Sequence, residues 1–311
     1  MTSRLMTRRT ALMTAAALPA APAILGATMA QAQDETAQTP PAIPPYRKMQ
    51  LGDMGVTTLL AANRPMDNPH GTFGLNASDE EFAALSQEAF IPADTSLNFF
   101  TPTLIEAGDE KILFDTGLNS AGTSAALAAA GHAPEDITTV VITHMHGDHI
   151  GGLMGEGGAT FKNARYITGQ TEFDHWSKAG NDTFEAKVRP LEDQFAFIKG
   201  GDSVVSGITA VEAFGHTPGH MAYMVESGGK GLVLAVDTAN HYVWSLRRPE
   251  WEVRFDMDKT QAAATRKSLL GMVSADRLPF IGYHMPFPGV GFLETSGPGY
   301  RFVPTGYQLD V

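Results

Sequence analysis

The sequence predicts an α+β fold in which two packed β-sheets are covered by helices. Short β-type runs occur in both halves of the chain, helical segments lie between them, and no internal repeat or second linker divides residues 46–311. The 311-residue chain is 43% hydrophobic and only 18% charged, which favours a buried core and excludes wholesale disorder. We therefore expect one globular domain over residues 46–311.

The predicted strands are short runs that are bounded mainly by Gly, Asn and Asp. They cover residues 49–51, 57–60, 97–106, 111–115, 138–143, 165–168, 208–213, 222–226, 231–236 and 279–283. Helices are expected over residues 79–89 with Ser78 as N-cap, over the Ala-rich residues 120–130, and from Asp258 or Thr260 to about Val273. The polar segment 64–96 is predicted to form a lid.

The first 32 residues predict an export signal rather than part of the fold. A basic start precedes an apolar stretch over residues 11–30, and Ala30-Gln31-Ala32 supplies a small-x-small cleavage pattern. The pair Arg8-Arg9 resembles a bacterial twin-arginine signal; an ordinary secretory signal or a retained membrane anchor is the alternative. A Pro-rich linker is expected over residues 33–45. These features predict a periplasmic or secreted protein without stable membrane insertion after signal removal.

Charge and cysteine content exclude several classes of function. Lys and Arg total 22 against 34 Asp and Glu, which gives a net charge of −12 and disfavours nucleic acid as a partner. The chain has no Cys, so disulfides, thiolate nucleophiles, iron–sulfur clusters and Cys-ligated metal sites are excluded. Any bound metal must be held by His, Asp or Glu.

The strongest functional signal is the sequence HMHGDH at residues 144–149, directly after the predicted strand 138–143. In an extended segment, His144 and His146 point to the same side and can bind one cation, whereas a bend at Gly147 turns the next residues to a second cation. Imidazole and carboxylate ligands suit zinc, and also iron or manganese. We predict two divalent metal ions, with zinc favoured. The other candidate ligands are Asp148, His149, His216, Asp237 and His284.

The motifs HMHGDH, GHTPGH and VDT, together with the late His284, resemble the metallo-β-lactamase fold superfamily. The resemblance implies an αββα sandwich of two mixed β-sheets flanked by helices, with the site along one edge of the sheets. It also implies that Asp115 orients a ligating histidine, although a strand-terminal turn cap is the alternative role. The implied ligands are His144, His146 and His216 for one metal, Asp148, His149 and His284 for the other, and Asp237 as the bridge.

Within the superfamily, the ligand pattern is similar to that of lactonases, glyoxalase-II-type thioesterases and organophosphate hydrolases. A β-lactamase is disfavoured because the chain has no Cys ligand and has Asp237 as a bridge. Segments 215–220, 285–290 and 299–304 resemble methyl parathion hydrolase and related lactonases. The resemblance also suggests a homodimer, although no periodic interface stripe supports one.

These observations predict a secreted binuclear-metal hydrolase of small, uncharged lactones or related esters. A metal-bridging hydroxide is the expected nucleophile, and aryl esters and phosphotriesters are expected as side substrates. The alternatives are an organophosphate hydrolase of the methyl parathion type and a mononuclear iron enzyme of the persulfide dioxygenase type. The seven candidate ligands of a binuclear site favour the hydrolase.

Proton transfer to the leaving group is assigned to Asp148, Asp237 or a nearby histidine. His220 lies four residues after His216 and is a candidate for supporting the site, with a structural hydrogen bond as the alternative.

Two further groups are predicted to face the substrate. His241 and Tyr242 follow Asp237 closely and are candidates for polarising the substrate carbonyl, with a surface position as the alternative. Trp176 is predicted to line the pocket, with core packing as the alternative. The candidates for an additional apolar wall are Phe99, Phe100, Phe287 and Phe292.

Overall fold

The structure is a computed structural model that describes residues 43–309. The predicted signal peptide 1–32 and linker residues 33–42 lie outside the described residues. Contacts group the chain from Ile43 onward into one compact unit. Within the described part, none of the helices has both the length and the apolar character that a membrane span requires.

The strands and helices are numbered in chain order. The strands are β1 (Tyr46–Leu51), β2 (Met54–Leu59), β3 (Ala62–Asp67), β4 (Thr95–Phe100), β5 (Thr103–Ala107), β6 (Glu110–Phe114), β7 (Thr139–Ile142), β8 (Met154–Gly155), β9 (Gly158–Ala159), β10 (Arg165–Gly169), β11 (Phe195–Ile198), β12 (Ser203–Val205), β13 (Ile208–Glu212), β14 (Met221–Ser227), β15 (Lys230–Val236), β16 (Phe280–Gly282), β17 (Val290–Ser296) and β18 (Gly299–Pro304). The helices are α1 (Asp79–Glu88), α2 (Ser120–Ala130), α3 (Gly147–Ile150), α4 (Gln170–Trp176), α5 (Asp182–Lys187), α6 (Trp244–Arg247) and α7 (Lys259–Ala275), with short 3₁₀ helices at Pro69–Gly71, Pro134–Asp136 and Arg189–Gln194.

Two seven-stranded mixed sheets form the centre of the fold, which confirms the predicted architecture. The first has the order β1-β2-β5-β6-β7-β10-β11 and is parallel from β6 to β11. The second runs in order from β12 to β18 and has one parallel pair, β15 with β16. Strands β3 and β4 form a separate two-stranded ribbon, as do β8 and β9.

Alternation along the strands builds a layered core. In β15, Leu232 and Leu234 join the cluster shared by the two sheets, whereas Val233 joins a second cluster with α7 on the outer face. The outer face of the first sheet packs on α2 through Leu127 and its neighbours. Because successive strand side chains point to opposite faces, both sheets bury apolar residues on both sides. The result is an αββα sandwich.

Local sequence signals fix the starts of helices α1 and α7. Ser78 and Glu81 form a capping box at the start of α1. The cap of α7 is Asp258, whose Oδ1 accepts a hydrogen bond from the Gln261 N–H at 2.9 Å. Of the two candidates for this cap, the structure uses Asp258 rather than Thr260.

The predicted single strand 97–106 is wrong, because two separate strands occupy it. The first half belongs to β4, which pairs with β3, and the second half belongs to β5, which joins the first sheet. Pro102 lies at the break, where it has no N–H to donate and a fixed φ. The segment predicted as a lid contains most of β3 and all of the predicted helix α1, and Phe82 of α1 stacks on Trp244 with 4.7 Å between ring centroids.

Candidate metal centre

Loops that follow the strands meet at one end of the sandwich and bring the seven predicted metal ligands together. Residues 144–149 follow β7, Asp237 follows β15, His284 follows β16, and His216 lies between β13 and β14. Because β15 and β16 are parallel, their carboxyl ends lie at the same edge of the second sheet. We call this end of the sandwich the metal edge.

The first ligand group consists of three histidines. His144 Nε2 lies 3.2 Å from His146 Nδ1, which lies 3.0 Å from His216 Nε2. His144 and His216 are buried, and His146 is partly exposed. Ligand atoms at about 2.0–2.1 Å from a tetrahedral zinc ion are roughly 3.3 Å from one another. The three ring nitrogens therefore have a spacing that suits one cation.

The second ligand group consists of Asp148, His149 and His284. Asp148 Oδ2 lies 3.4 Å from His284 Nε2 and 3.7 Å from His149 Nε2. Tyr283 supports both sides of this group: its hydroxyl donates to the backbone oxygen of Asp148 at 2.6 Å, and its ring lies over His149 with centroids 3.9 Å apart. The group is wider and more exposed than the first, since Asp148 is half-buried.

Asp237 contacts both ligand groups. Its Oδ2 lies 3.2 Å from His216 Nε2 and 3.1 Å from His284 Nε2. Its Oδ1 lies 3.5 Å from His149 Nε2. A carboxylate in this position can bind two cations at once. The structure thus places Asp237 where the resemblance expected a bridge.

The backbone around Asp237 is held in an unusual conformation. The preceding residue, Val236, has φ +48°, a left-handed value that is unfavourable for a β-branched residue. The Asp237 N–H donates to His220 Nε2 at 3.2 Å, and His220 Nδ1 donates to the Ala213 oxygen at 3.0 Å. Burial lowers the pKa of His220 to about 3, so its ring is neutral and can accept. His220 positions Asp237 and belongs to neither ligand group.

Hydrogen bonds behind the histidines fix their ring orientation. His149 Nδ1 donates to Asp115 Oδ2 at 2.8 Å, and the Thr143 N–H donates to Asp115 Oδ1 at 2.9 Å. His284 Nδ1 donates to the Phe99 oxygen at 2.8 Å. Because His149 and His284 make these hydrogen bonds through Nδ1, the Nε2 atom of each ring is left for a metal. Asp115 therefore lies where it can orient a ligating histidine.

A buried ion pair supports His216, and sequence reasoning missed it. His216 Nδ1 donates to Asp256 Oδ1 at 2.9 Å, and Arg266 Nη2 donates to Asp256 Oδ2 at 2.7 Å. Arg266 is only 1% exposed. Asp256 lies 40 residues after His216, so no local spacing could have revealed the contact. Arg266 also donates to the backbone oxygens of Thr238, Pro249 and Trp251.

The candidate ligand atoms at the metal edge suit divalent metal ions. His149 Nε2 and Asp237 Oδ1 are buried and make no hydrogen bond within the described chain. Unpaired buried polar atoms are costly, and a cation between them would satisfy both. In the first ligand group, ring nitrogens of all three histidines lie within 4.8 Å of one another, which also suits a cation.

Electrostatics keep His144 and Asp237 in the protonation states that metal binding needs. Burial lowers the pKa of His144 well below its ordinary value, so the ring is neutral. Burial by itself would raise the pKa of Asp237, but the charges of His284 and His149 hold it well below its ordinary range. A neutral imidazole and an ionised carboxylate are the forms that coordinate metals.

A cavity of about 500 Å³ opens onto the metal edge. His146, Asp148, His216, Asp237 and His284 line its metal side. The rest of the lining, which we call the cavity wall, comes mainly from the β3–β4 ribbon and from residues in neighbouring loops. The cavity wall consists of Arg64, Pro65, Met66, Phe73, Asn98, Phe100, Leu118, Asn240 and Phe255.

Trp176 does not line this cavity, contrary to the prediction. Its side chain is 8% exposed and belongs to the core on the outer face of the first sheet. The indole N–H donates to Glu172 Oε1 at 2.6 Å, and its ring meets His146 edge-on with centroids 5.8 Å apart. The hydrogen bond to a residue one turn earlier on α4 holds the indole inside.

His241 and Tyr242 also lie outside the cavity lining. His241 stacks on Trp244 with centroids 3.9 Å apart, and its Nδ1 accepts from the backbone N–H groups of Val243 and Trp244. Tyr242 packs between two apolar clusters next to α6. A role in polarising substrate is therefore not supported by their positions. Of the four predicted phenylalanines, Phe100 lines the cavity, whereas Phe99, Phe287 and Phe292 do not.

Comparisons with known proteins agree with this geometry. An N-acyl homoserine lactonase from Bacillus cereus is 29% identical over 159 residues, which cover 50% of this chain and 60% of that protein. AidC, a dizinc quorum-quenching lactonase, has a TM-score of 0.77 at 23% identity, covering 85% of this chain and 98% of its own. The hydrolase AbOPH has a TM-score of 0.79 at 23% identity, covering 86% and 100%.

These similarities differ in what they establish. The likeness to solved structures shows the fold, and the lactonase match spans less than two thirds of that relative's length. A protein-family model matches residues 101–284, a longer segment that contains every candidate ligand from His144 to His284. With more than half of its length matched and the ligands in place, this chain belongs to the metallo-beta-lactamase superfamily.

Proposed function

We propose that this chain is a hydrolase with two divalent metal ions that opens lactones or cleaves related uncharged esters. The observation that carries the proposal is the convergence of five histidines and two aspartates into two ligand groups joined by Asp237. The similarity to N-acyl homoserine lactonases supports lactones as the substrate class.

The ligand groups divide the metal binding between them. The first group would bind one ion through imidazole nitrogens, the second would bind the other through a carboxylate and two imidazoles, and Asp237 would join them. We propose zinc because it accepts both ligand types in four-coordinate sites. When bound, two such cations would lower the pKa of coordinated water enough to supply hydroxide near neutral pH and would polarise the carbonyl of the substrate.

The chain's own side chains then act on substrate and leaving group. Asp148 lines the cavity and its side chain is 22% exposed, so it can contact a substrate oxygen. We assign it the relay, to the leaving alkoxide, of the proton that water loses when it forms the attacking hydroxide. The apolar residues of the cavity wall bind the acyl part of the substrate and limit water around the reacting carbonyl. Aryl esters and uncharged phosphotriesters are proposed as slower side substrates.

The substrate proposal is tested with purified, zinc-reconstituted protein. Rates are measured on N-acyl homoserine lactones, aromatic lactones, aryl esters, phosphotriesters, glutathione thioesters and a β-lactam, together with the zinc content. We expect the highest kcat/KM on a lactone at about two zinc ions per chain. Faster turnover of glutathione thioesters or of the β-lactam would overturn the assignment, and phosphotriesters as the best substrates would favour the organophosphate hydrolase.

We also propose that the protein is exported through its twin-arginine-type leader. The support is the sequence around Arg8-Arg9 and the apolar stretch that follows it. Replacement of Arg8 and Arg9 by lysine should retain the precursor in the cytoplasm, which cell fractionation would detect. An unchanged periplasmic yield would instead indicate the general secretory route.

A further inference from the structure

Glu172 is a buried carboxylate close to the first ligand group, and the mechanism proposed above does not use it. It lies on α4, which directly follows β10, the strand next to β7 in the first sheet. The Glu172 side chain is fully buried. Among the described residues, no Lys or Arg forms an ion pair with it.

Four donors surround the two carboxylate oxygens of Glu172. Oε1 accepts from the Met145 N–H at 2.9 Å and from the Trp176 indole at 2.6 Å. Oε2 accepts from the Thr217 hydroxyl at 2.7 Å and from the Gly219 N–H at 2.9 Å. All four contacts donate to the carboxylate, so the ionised form satisfies every one of them.

Three of these four donors come from the two loops that carry the first ligand group, and the fourth, the Trp176 indole, lies on α4 itself. Met145 lies between His144 and His146, and Thr217 directly follows His216. One oxygen of Glu172 therefore holds the loop after β7, and the other holds the loop between β13 and β14. The carboxylate joins the edges of the two sheets at the point where the three histidines converge.

The GHTPGH motif at residues 215–220 is built to receive this carboxylate. A Cβ on Gly219 would lie 2.2 Å from the Glu172 backbone nitrogen, so only glycine allows α4 to approach this closely. Thr217 supplies the hydroxyl donor from the same loop. The contact explains two motif positions that are not metal ligands.

We infer that Glu172 is a positioning residue, whose carboxylate sets the separation between the loop of His144 and His146 and the loop of His216. The inference relies on the metal centre of the proposed function but not on its substrate. Residues that orient metal ligands from behind typically change metal affinity by about 10–100-fold when they are replaced. Loss of this carboxylate should therefore weaken the first ligand group specifically.

The test compares Glu172→Gln with Asp174→Asn. Both changes replace a carboxylate on α4 by its amide, but Asp174 is exposed, and within the described part of the chain its carboxylate accepts only from the Gln170 side chain. The amide nitrogen of a glutamine at 172 would face N–H and O–H donors and break two of the four hydrogen bonds. Each metal-free protein is titrated with zinc against a chromophoric chelator and with cobalt, whose visible absorption reports coordination geometry.

For Glu172→Gln we expect one of two zinc sites to weaken by about 10–100-fold, an altered cobalt spectrum, and a lower kcat with little change in KM. Asp174→Asn should match the wild type in all three. A wild-type zinc affinity and cobalt spectrum in Glu172→Gln, with only a lower Tm of the metal-free protein, would reduce Glu172 to a structural role and overturn the inference.

Thr217→Val keeps the test decisive if Glu172→Gln does not fold. It removes one hydroxyl donor from Glu172 and should weaken the same zinc site by a smaller factor, with the same change in the cobalt spectrum. An unchanged site in Thr217→Val would count against the inference. Absence of zinc binding by the wild-type protein would be a different result, because it would contradict the proposed function itself.

Discussion

The metal edge and the cavity wall line one cavity, but they are built in different ways. At the metal edge, the ligands lie in the loops and in helix α3 that follow the strands of the two sheets, and buried partners such as Asp115 and Asp256 orient His149 and His216. Much of the cavity wall comes from the β3–β4 ribbon, which is not hydrogen-bonded into either sheet. The candidate ligands are therefore tied to the two central sheets, whereas much of the cavity wall belongs to a ribbon outside them.

This difference predicts that the two regions respond to substitution in separable ways. Changes at the metal edge should alter metal content and kcat for every substrate. Changes at the cavity wall should alter KM or kcat/KM for particular substrates and leave the metals in place. The following substitutions test this separation, in order of decreasing effect.

Replacement of Asp237 by Asn should have the largest effect. A neutral amide is a poor bridge between two dications, and it would leave His216 and His284 without the negative charge that both contact. We expect loss of at least one metal ion per chain and a decrease in kcat on the order of 10³-fold for all substrates. Metal analysis and steady-state kinetics measure both. Full activity with two metals retained would contradict the bridging role.

Replacement of Asp256 by Asn should have an intermediate effect. The amide can no longer accept from His216 Nδ1 and pair with Arg266 as a carboxylate does, so the imidazole becomes less firmly oriented. The expected result is a loss of about 10–100-fold in the affinity of one metal site. Arg247 and Glu88 form a more exposed pair that serves as control, and Glu88→Gln should leave metal affinity unchanged.

The two regions also differ in how far the sequence predicts them. The convergence of the seven candidate ligands could be predicted because six of them belong to the short motifs HMHGDH, GHTPGH and VDT, and His284 follows a strand by two residues. The roles of Asp256 and Glu172 could not be predicted, since each residue contacts its partners only after distant segments of the chain have folded together. The prediction for Trp176 was wrong because its hydrogen bond to Glu172 turns the indole into the core, a contact that sequence similarity does not reveal.

At the cavity wall, Phe255→Ala should change substrate preference without affecting the metals. Phe255 lines the cavity and is 39% exposed, so its loss removes apolar contact with a substrate but little core packing. We expect kcat/KM for long-chain lactones to fall by roughly 10-fold, equivalent to about 1.4 kcal/mol, and for short-chain lactones to change less. Phe197 is also 39% exposed but lies outside the cavity lining, so Phe197→Ala is the matched control. An equal loss in both variants would show that the effect is not one of substrate contact.

The smallest effect is expected for Ser78→Ala at the start of α1. The Ser78 hydroxyl accepts from the Glu81 N–H, and Phe82 in the next turn stacks on Trp244 and Trp251 beside Phe73 of the cavity wall. Loss of the cap should cost about 1 kcal/mol of unfolding free energy, measured by denaturant titration. Because α1 contacts the cavity wall and not the ligands, zinc affinity and kcat should remain at the wild-type level, and only KM should rise slightly. A weakened metal site in this variant would show that the metal edge depends on the cavity wall after all, and the two regions would then have to be treated as one cooperative unit.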